Sequence, residues 1–414
     1  MTSTPVDRRS LALAALSTIV EWYDFTLFLY LATLLSRLFF VGQDALLITL
    51  GGFAVAYLMR PLGALVFGHF GDRNGRRATL LASMALMTVA MTLTAMLPTT
   101  AGWSGAALLL LRCVMGFAVG GEYTGVVAYM LEGAPDNRRG LVTSLAAATS
   151  EVGALLAAGV SALVVSVLPT AELKSWGWRI PFLFGAALAG LILVARSAMR
   201  ESPAFEAERA AGGVPANPIR DVWSAHRIAV ARGFAISALG SITYYVGITY
   251  VPVFLTATGR MSEAASLQLA TIAALAVILV TPFFGLASDR WGRRAALVAL
   301  AVVAIVLPVT AFLWFGRETG AAVTVGAVAL AALAGGVSAV GAVTTAELLP
   351  PYGRLSGLAL GATSATAIFG GLTPWLAQWL TDRTGSPLAP GVMIGVVALC
   401  VLPVLLRLPA GPDR

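Results

Sequence analysis

The sequence predicts an all-helical integral membrane protein with twelve transmembrane helices, and two observations support this prediction. The composition is 58% hydrophobic and only 11% charged, whereas a soluble globular chain carries about 25% charged residues. Apolar stretches of about 20 residues recur along the whole chain, and this length crosses the hydrocarbon core of a bilayer as a helix. Because lipid offers no hydrogen-bond partner to a free backbone amide, such stretches fold as helices.

The predicted spans are apolar stretches separated by short polar connections. They lie at 12–36, 46–69, 79–98, 104–131, 141–168, 178–198, 228–256, 265–287, 295–314, 322–346, 355–380 and 389–408. The first stretch carries Glu21 and Asp24 near its centre and has no small-residue cleavage site after a short apolar core. We therefore expect a retained helix there rather than a cleaved signal peptide.

One polar segment, 199–227, is much longer than the other connections. It mixes charged residues with prolines and glycines, which argues against a single continuous helix. We expect a cytoplasmic linker there, between an N-terminal six-helix bundle at 1–198 and a C-terminal six-helix bundle at 228–414.

The distribution of basic residues predicts the orientation. With both termini in the cytoplasm, nineteen basic residues lie on the inner side and six on the outer side, and only Arg60 and Arg112 lie within the membrane. This bias follows the positive-inside rule and favours an even number of spans. We expect a multi-pass protein of the plasma (inner) membrane, with the lipid bilayer as its surroundings.

Several classes of function are excluded by what the sequence lacks. The net charge of +7 does not indicate nucleic-acid binding, because long apolar stretches separate the basic residues and prevent a continuous phosphate-binding surface. Cys113 and Cys400 both lie in apolar stretches and do not suggest a disulfide scaffold. There is no Cys/His cluster, Ser/His/Asp constellation or phosphate-binding loop, so we expect no metal, no cofactor and no enzyme activity.

The two halves of the sequence repeat one another. A Gly-x-x-x-Asp-Arg-x-Gly-Arg-Arg motif follows the second and the eighth spans, and two further pairs of segments match in the same order. The matched segments are 68–77 with 285–294, 132–139 with 347–354, and 148–150 with 362–364. A duplicated bundle with a substrate site between its halves is how many secondary transporters are built.

The repeated motif resembles the signature loop of the major facilitator superfamily. Five further motifs are similar to those of its metabolite:proton symporter family, whose members carry proline, betaine, citrate, α-ketoglutarate or shikimate. They are EWYDF at 21–25, MRPLG at 59–63, GGEYTG at 120–125, WGWRIPF at 176–182 and ESPAF at 201–205. The resemblance implies the major facilitator fold, with two pseudo-symmetric six-helix bundles, alternating access and uptake driven by a proton gradient. We expect the protein to function as a monomer.

Acidic residues within the predicted membrane helices are candidates for proton coupling. An ionisable group at mid-membrane costs at least about 2.5–3.5 kcal/mol and needs a partner or a function. Glu21 and Asp24 lie near the midplane on one helical face, because they are three residues apart. We favour Asp24 as the coupling site, with Glu122 and Glu151 as further candidates. The alternative is that these acids are only salt-bridge partners of the buried arginines.

Arg60 and Arg112 lie inside the membrane, away from the ends of their predicted helices. The guanidinium of Arg112 suits a carboxylate, whether of the substrate or of Asp24, and its position resembles that of the fourth-span arginine associated in the superfamily with proton transfer or anionic substrate. Gly116 and Gly120 follow it at four-residue spacing, which allows either a functional role or close helix packing. We expect Arg60, beside a proline, to anchor a helix or cap free carbonyl groups.

The second half offers only uncharged polar groups at mid-membrane. Aromatic faces attract cations, so its tyrosines are candidates for contact with a substrate cation, although core or interfacial positions are the alternative. The candidate substrate-binding residues of this half are Tyr244, Tyr245, Tyr250, Thr363 and Ser364.

The charged residues of the repeated motif form a candidate conformational latch. A carboxylate there can cap a helix N-terminus or bind the motif's arginines, and such ion pairs can hold the two bundles in an outward-open state. The alternative is that the arginines only fix the topology. The residues are Asp72, Arg73, Arg76, Arg77, Asp289, Arg290, Arg293 and Arg294.

Together these patterns predict a proton-coupled importer of a small carboxylate-bearing metabolite. Four mid-membrane acids against two arginines do not suit a ligand with several negative charges, which favours a zwitterion such as proline or betaine. An organic acid such as citrate or tricarballylate is the alternative, because the segment 365–374 resembles that of citrate-type members. Proton-coupled drug export and a transporter-like receptor are further alternatives on the same scaffold.

Overall fold

The computed structural model describes residues 8–42, 45–100, 102–211, 217–317 and 320–409. Almost all of these residues lie in helices, and no strand occurs among them. In this described part of the chain, twelve helices are long and apolar enough to cross a membrane, which confirms the predicted number of spans. Part of the predicted linker, 212–216, and Arg414, which we assigned to the inner side, lie outside the described residues.

We label the twelve spans α1 to α12 in chain order. Their bounds are Ser10–Tyr30 (α1), Gly51–Asn74 (α2), Arg76–Met96 (α3), Ser104–Gly133 (α4), Asp136–Val167 (α5), Arg179–Ser197 (α6), Pro218–Ala257 (α7), Gln268–Trp291 (α8), Arg293–Arg317 (α9), Ala321–Glu347 (α10), Arg354–Thr384 (α11) and Ala389–Leu406 (α12). Two shorter helices, Ala32–Phe39 and Pro203–Ala210, follow α1 and α6. The second of these lies in the predicted linker, which is therefore not one continuous helix.

The repeated motif is mostly helical, which differs from the loop that the sequence pattern suggested. Helix α2 runs to Asn74 and α3 begins at Arg76, so a single glycine, Gly75, connects them with a φ of 108°. In the second repeat Gly292 has a φ of 89°. Because only glycine adopts such angles readily, each glycine makes the tight turn on which the motif depends.

Helices α4, α7 and α11 contain departures from α-helical geometry in their interiors. Helix α4 is interrupted at Gly121, between Gly120 and Glu122. Helix α7 contains a π-helical turn at Tyr245–Thr249, and α11 contains two, at Ala359–Thr363 and Ala367–Gly371. Such turns are uncommon and are often found at functional sites.

The chain forms two compact units. Unit 1 comprises Met1–Gly133, Thr149–Asp221 and Pro351–Ala359, and unit 2 comprises Ala134–Ala148, Val222–Pro350 and Leu360–Arg414. Each unit has its own buried apolar cluster. That of unit 1 contains Tyr23, Met84, Met87, Trp178 and Phe182, and that of unit 2 contains Tyr250, Phe254, Phe312, Phe315 and Leu330.

Candidate functional site

A buried cavity in unit 1 brings together the two acids of α1 and both predicted membrane arginines. Glu21 and Asp24 are only 1% and 2% exposed, and they face the same cavity, as their spacing predicted. Its lining residues are Glu21, Asp24, Phe25, Phe28, Phe53, Ala56, Tyr57, Arg60, Arg112, Met115, Gly116 and Val119.

Asp24 and Arg112 form a bidentate ion pair between α1 and α4. Nη1 of Arg112 donates to Oδ2 of Asp24 at 2.8 Å, and Nη2 donates to Oδ1 at 3.1 Å. The guanidinium also lies over the ring of Phe28, 4.9 Å from its centroid. Paired charged hydrogen bonds of this kind are strong and directional. Of the two partners that the sequence suggested for Arg112, the structure shows Asp24.

Glu21 and Arg60 form a looser pair. Their nearest charged atoms, Nη1 of Arg60 and Oε1 of Glu21, are 3.7 Å apart, and neither oxygen of Glu21 accepts a hydrogen bond from any described residue. The guanidinium of Arg60 stacks instead on aromatic rings, 4.2 Å from the centroid of Tyr57 and 5.0 Å from that of Phe25. Both acids of α1 therefore lie beside buried arginines, and a coupling role for either acid stays a prediction.

An aromatic cluster forms one wall of the cavity. The ring centroids of Phe25 and Phe53 are 4.6 Å apart, those of Phe25 and Tyr57 are 4.8 Å apart, and those of Phe53 and Tyr57 are 5.1 Å apart. The sequence analysis did not single out Phe53 or Tyr57. They share a helical face with Arg60, because residues three and four apart lie on the same side of a helix. This shared face is the sequence pattern that could have identified them as neighbours of Arg60.

Close packing of α2 on α4 positions the two arginines. A Cβ atom at Gly116 would collide with the backbone carbonyl of Ala56, and one at Gly120 would collide with that of Arg60. Glycines at helix interfaces permit such close backbone approach. The structure therefore gives both glycines a packing role, which brings the Arg60 and Arg112 helices together beside the cavity.

Glu122 lies apart from this cavity in a second buried ion pair. Arg196 of α6 donates to Oε2 of Glu122 at 3.1 Å and to Oε1 at 2.5 Å, and the Ser83 hydroxyl donates to Oε2 at 2.7 Å. Arg196 also bonds to the Ser17 hydroxyl and to the Leu80 carbonyl. The structure buries Arg196 completely, in the last turn of α6.

Glu151 of α5 is also buried, at 3% exposure. It is not among the lining residues of the cavity that holds Glu21 and Asp24. The structure therefore places two of the four predicted acids in this cavity, and the other two are not among its lining residues.

In unit 2 the predicted polar residues lie on α7 and α11. Tyr250 is 1% exposed, belongs to the apolar core and donates to Oε1 of Gln378 at 2.9 Å. Tyr245 and Thr363 are buried, whereas Tyr244 and Ser364 are partly exposed. Tyr250 therefore occupies a core position, which was the alternative to substrate contact. Contact of the substrate with these five residues stays a prediction.

The two motif aspartates each cap the beginning of a helix. Asp72 accepts from the backbone amide and the hydroxyl of Ser356, at 3.0 and 2.8 Å, near the start of α11. Asp289 accepts from the backbone amides of Gly140 and Leu141, at 2.8 and 2.9 Å, near the start of α5. A carboxylate at a helix N-terminus is favoured by the helix dipole.

Motif arginines complete these clusters. Arg76 lies 3.3 Å from Asp72 and 3.4 Å from Glu132, and Arg293 lies 2.8 Å from Asp289 and 3.1 Å from Glu347. Arg77 donates to the Ser197 carbonyl at 2.5 Å, Arg73 and Arg290 are exposed, and Arg294 is partly exposed. Within the described ranges, no group of three or more His, Cys, Asp or Glu residues could hold a metal ion.

Twelve membrane helices in two repeated halves, with paired charges around a buried cavity, define a secondary transporter. A family model described as sugar (and other) transporter matches residues 11–212 and 206–411, so that each half is matched separately. The chain belongs to the major facilitator superfamily, in the metabolite:proton symporter family that its motifs resemble. It is a transporter and not an enzyme.

Three similar proteins illustrate this relationship. A proline/betaine transporter of Escherichia coli is 30% identical over 95% of this chain and 81% of its own length. A citrate-proton symporter of Klebsiella pneumoniae is 29% identical over 92% of this chain and 87% of its own. A solved proton:xylose symporter superposes with a TM-score of 0.83 over 96% of this chain and 95% of its own, at 17% identity. The last likeness confirms the predicted major facilitator fold.

Proposed function

We propose that the protein is a proton-coupled symporter that imports a small carboxylate-bearing metabolite, with a zwitterion such as proline or betaine as the favoured substrate. The observation that carries this proposal is the bidentate pair between Asp24 and Arg112 in the cavity of unit 1. Neither group is more than 3% exposed, so each depends on the other for charge compensation.

This pair links proton binding to substrate binding. A proton on Asp24 removes its charge and leaves Arg112 as a buried cation without its anion, which is strongly unfavourable. A substrate carboxylate restores the balance. In the opposite order, a carboxylate bound to Arg112 releases Asp24, which then gains by taking up a proton. Each ligand therefore favours binding of the other, and this coupling is reciprocal.

The charge of the cavity supports a zwitterion. Its two acids and two arginines sum to zero when all are ionised. A substrate with one carboxylate and one cationic group preserves that balance, whereas a tricarboxylate brings three negative charges to two arginines. The proline/betaine relative supports the same choice. The citrate-proton relative supports the second candidate, an organic acid such as citrate or tricarballylate.

In this proposal the protein works as a monomer in the plasma (inner) membrane, with both termini in the cytoplasm. Two bundles, 1–198 and 228–414, expose the cavity alternately to the two sides. Glu122 and Glu151 supply further titratable groups, and the second bundle supplies neutral contacts from Tyr244, Tyr245, Tyr250, Thr363 and Ser364.

Uptake into proteoliposomes tests the proposal. We expect labelled proline or betaine to accumulate when the outside is more acidic, and an uncoupler to abolish the accumulation. Accumulation of citrate alone would replace the zwitterion by the organic acid. If protons entering the vesicles instead drove a solute in the opposite direction, the third candidate, proton-coupled drug export, would be favoured.

Asp24→Asn tests the coupling step. The neutral amide leaves Arg112 free for substrate but cannot carry a proton, so we expect exchange of labelled for unlabelled substrate to continue while accumulation is lost. The matched control is Asp136→Asn, because the Asp136 side chain is 90% exposed. Normal accumulation by Asp24→Asn would remove Asp24 as the coupling site.

A further inference from the structure

Glu21 is a buried carboxylate whose hydrogen-bonding capacity is unused. It is 1% exposed and lines the cavity, and neither of its oxygens accepts a hydrogen bond from the described part of the chain. Buried polar groups are almost always hydrogen-bonded, so each exception needs an explanation. Asp24, one helical turn away on the same face, receives two donors from Arg112.

Arg60 does not use this capacity. Its guanidinium lies 3.7 Å from Glu21, which allows charge attraction but not a hydrogen bond of ordinary length. The guanidinium stacks on Tyr57 and Phe25. The Glu21 carboxylate therefore keeps its acceptor atoms for a donor or cation that enters the cavity.

The aromatic wall beside Glu21 is itself suited to a cation. The ring centroids of Phe25, Phe53 and Tyr57 lie within 5.1 Å of one another. Phe25 and Phe53 are partly exposed, whereas Tyr57 is buried. Aromatic faces carry partial negative charge and attract cations within about 6 Å. The stacked guanidinium of Arg60 shows that the faces of this wall accept a cation.

We propose that Glu21 and the aromatic wall of Phe25, Phe53 and Tyr57 form a subsite for an organic ammonium group, the cationic end of a zwitterionic substrate. The inference rests on the proposed function, in which Arg112 takes the carboxylate end. Three helical residues separate Glu21 from Asp24, which corresponds to a rise of about 4.5 Å. The two subsites therefore fit a small molecule whose opposite charges lie one or two carbon atoms apart.

Pairs of ligands that share a shape but differ in charge test the subsite. Glycine betaine pairs with 3,3-dimethylbutanoate, in which carbon replaces the quaternary nitrogen, and L-proline pairs with cyclopentanecarboxylate. We would measure the Kd of each by titration calorimetry on the purified full-length protein at one pH. We expect the wild type to bind the zwitterionic member of each pair at least about tenfold more tightly than its carboxylate analogue.

Glu21→Gln removes the charge and keeps the size of the side chain. We expect the preference for the zwitterion to fall to within about twofold. The carboxylate analogue that lacks the nitrogen should still bind, which shows that the site is intact. Phe53→Leu should lower the preference about threefold to tenfold, because a cation–ring contact is lost. Glu206→Gln and Phe184→Leu, at exposed positions, are the matched controls.

Each outcome distinguishes the subsite from the proposed function. If Glu21→Gln keeps the full preference while the wild type still accumulates betaine with protons, the ammonium binds elsewhere and the subsite is refuted alone. If the wild type binds neither zwitterion but accumulates citrate with protons, the subsite and the zwitterion are both refuted and the symporter remains. If Glu21→Gln does not fold, an unchanged preference in Phe53→Leu overturns the subsite.

Discussion

Glu21 and Asp24 differ by one methylene group and one helical turn, yet their surroundings give them different chemistry. Asp24 accepts two hydrogen bonds from the guanidinium of Arg112. The nearest guanidinium atom to Glu21, Nη1 of Arg60, lies 3.7 Å from its Oε1. The difference arises from the two arginines. Both terminal nitrogens of Arg112 bind Asp24, whereas the guanidinium of Arg60 stacks on the rings of Tyr57 and Phe25. A residue's depth in the membrane is therefore insufficient to assign its role.

At the residue scale, Arg112→Lys tests the carboxylate site. A lysine keeps the positive charge but cannot make two parallel hydrogen bonds, so we expect the substrate Kd to rise roughly tenfold, the equivalent of about one charged hydrogen bond. Arg112→Ala should weaken binding more than Arg60→Ala does, as measured by titration calorimetry. If Arg60→Ala weakened binding more than Arg112→Ala, the substrate carboxylate would bind Arg60 instead. Arg209→Lys, at an exposed position, is the control.

At the element scale, the contact between α2 and α4 determines the shape of the cavity. Glycines on α4 pack against backbone carbonyls of α2, so the two helices approach more closely than side chains would allow. The lining residues that these two helices supply include Phe53, Tyr57 and Arg60 of α2 and Arg112 of α4. The position of α2 on α4 therefore decides whether the aromatic wall and the two arginines share one cavity.

Gly116→Ala tests this contact. The new methyl group would overlap the Ala56 carbonyl, and since neither backbone can move independently, we expect a clear loss of thermal stability and weaker substrate binding. Gly159→Ala is the matched control, because a Cβ there meets nothing within 4 Å, and alanine is the better helix former by up to about 1 kcal/mol. Equal melting temperatures for the two variants in detergent would contradict the packing role of Gly116.

At the scale of the whole molecule, the repeated motif has two equivalent clusters, one in each unit. Asp72 caps the start of α11 and Asp289 caps the start of α5, and each also binds an arginine of its own motif. This equivalence follows from the internal repeat, which the separate family matches to the two halves also reflect. We expect these clusters to act as the latch for which the sequence made them candidates.

Asp72→Asn tests the latch. Loss of the charge weakens the bonds from Ser356 and leaves Arg76 with one acid fewer, so we expect the transport rate to fall at least about fivefold, which corresponds to about 1 kcal/mol in the barrier. Because Asp72 is not among the lining residues of the cavity that holds Asp24 and Arg112, the substrate Kd should change little. Asp136→Asn serves as the control. A changed Kd with an unchanged rate would contradict the latch.

The sequence determined the features that depend on composition and periodicity. The number of spans and the shared face of Glu21 and Asp24 follow from the order of apolar and polar residues, because lipid requires helices and helices have a fixed period. The internal repeat and the family resemblance follow from the sequence motifs. The tertiary structure alone decided which buried charges meet. It paired Arg112 with Asp24 and Arg196 with Glu122, and it placed Phe53 and Tyr57 beside Glu21. These contacts join helices that are distant in sequence, and their rotation and spacing depend on close packing that no local pattern encodes.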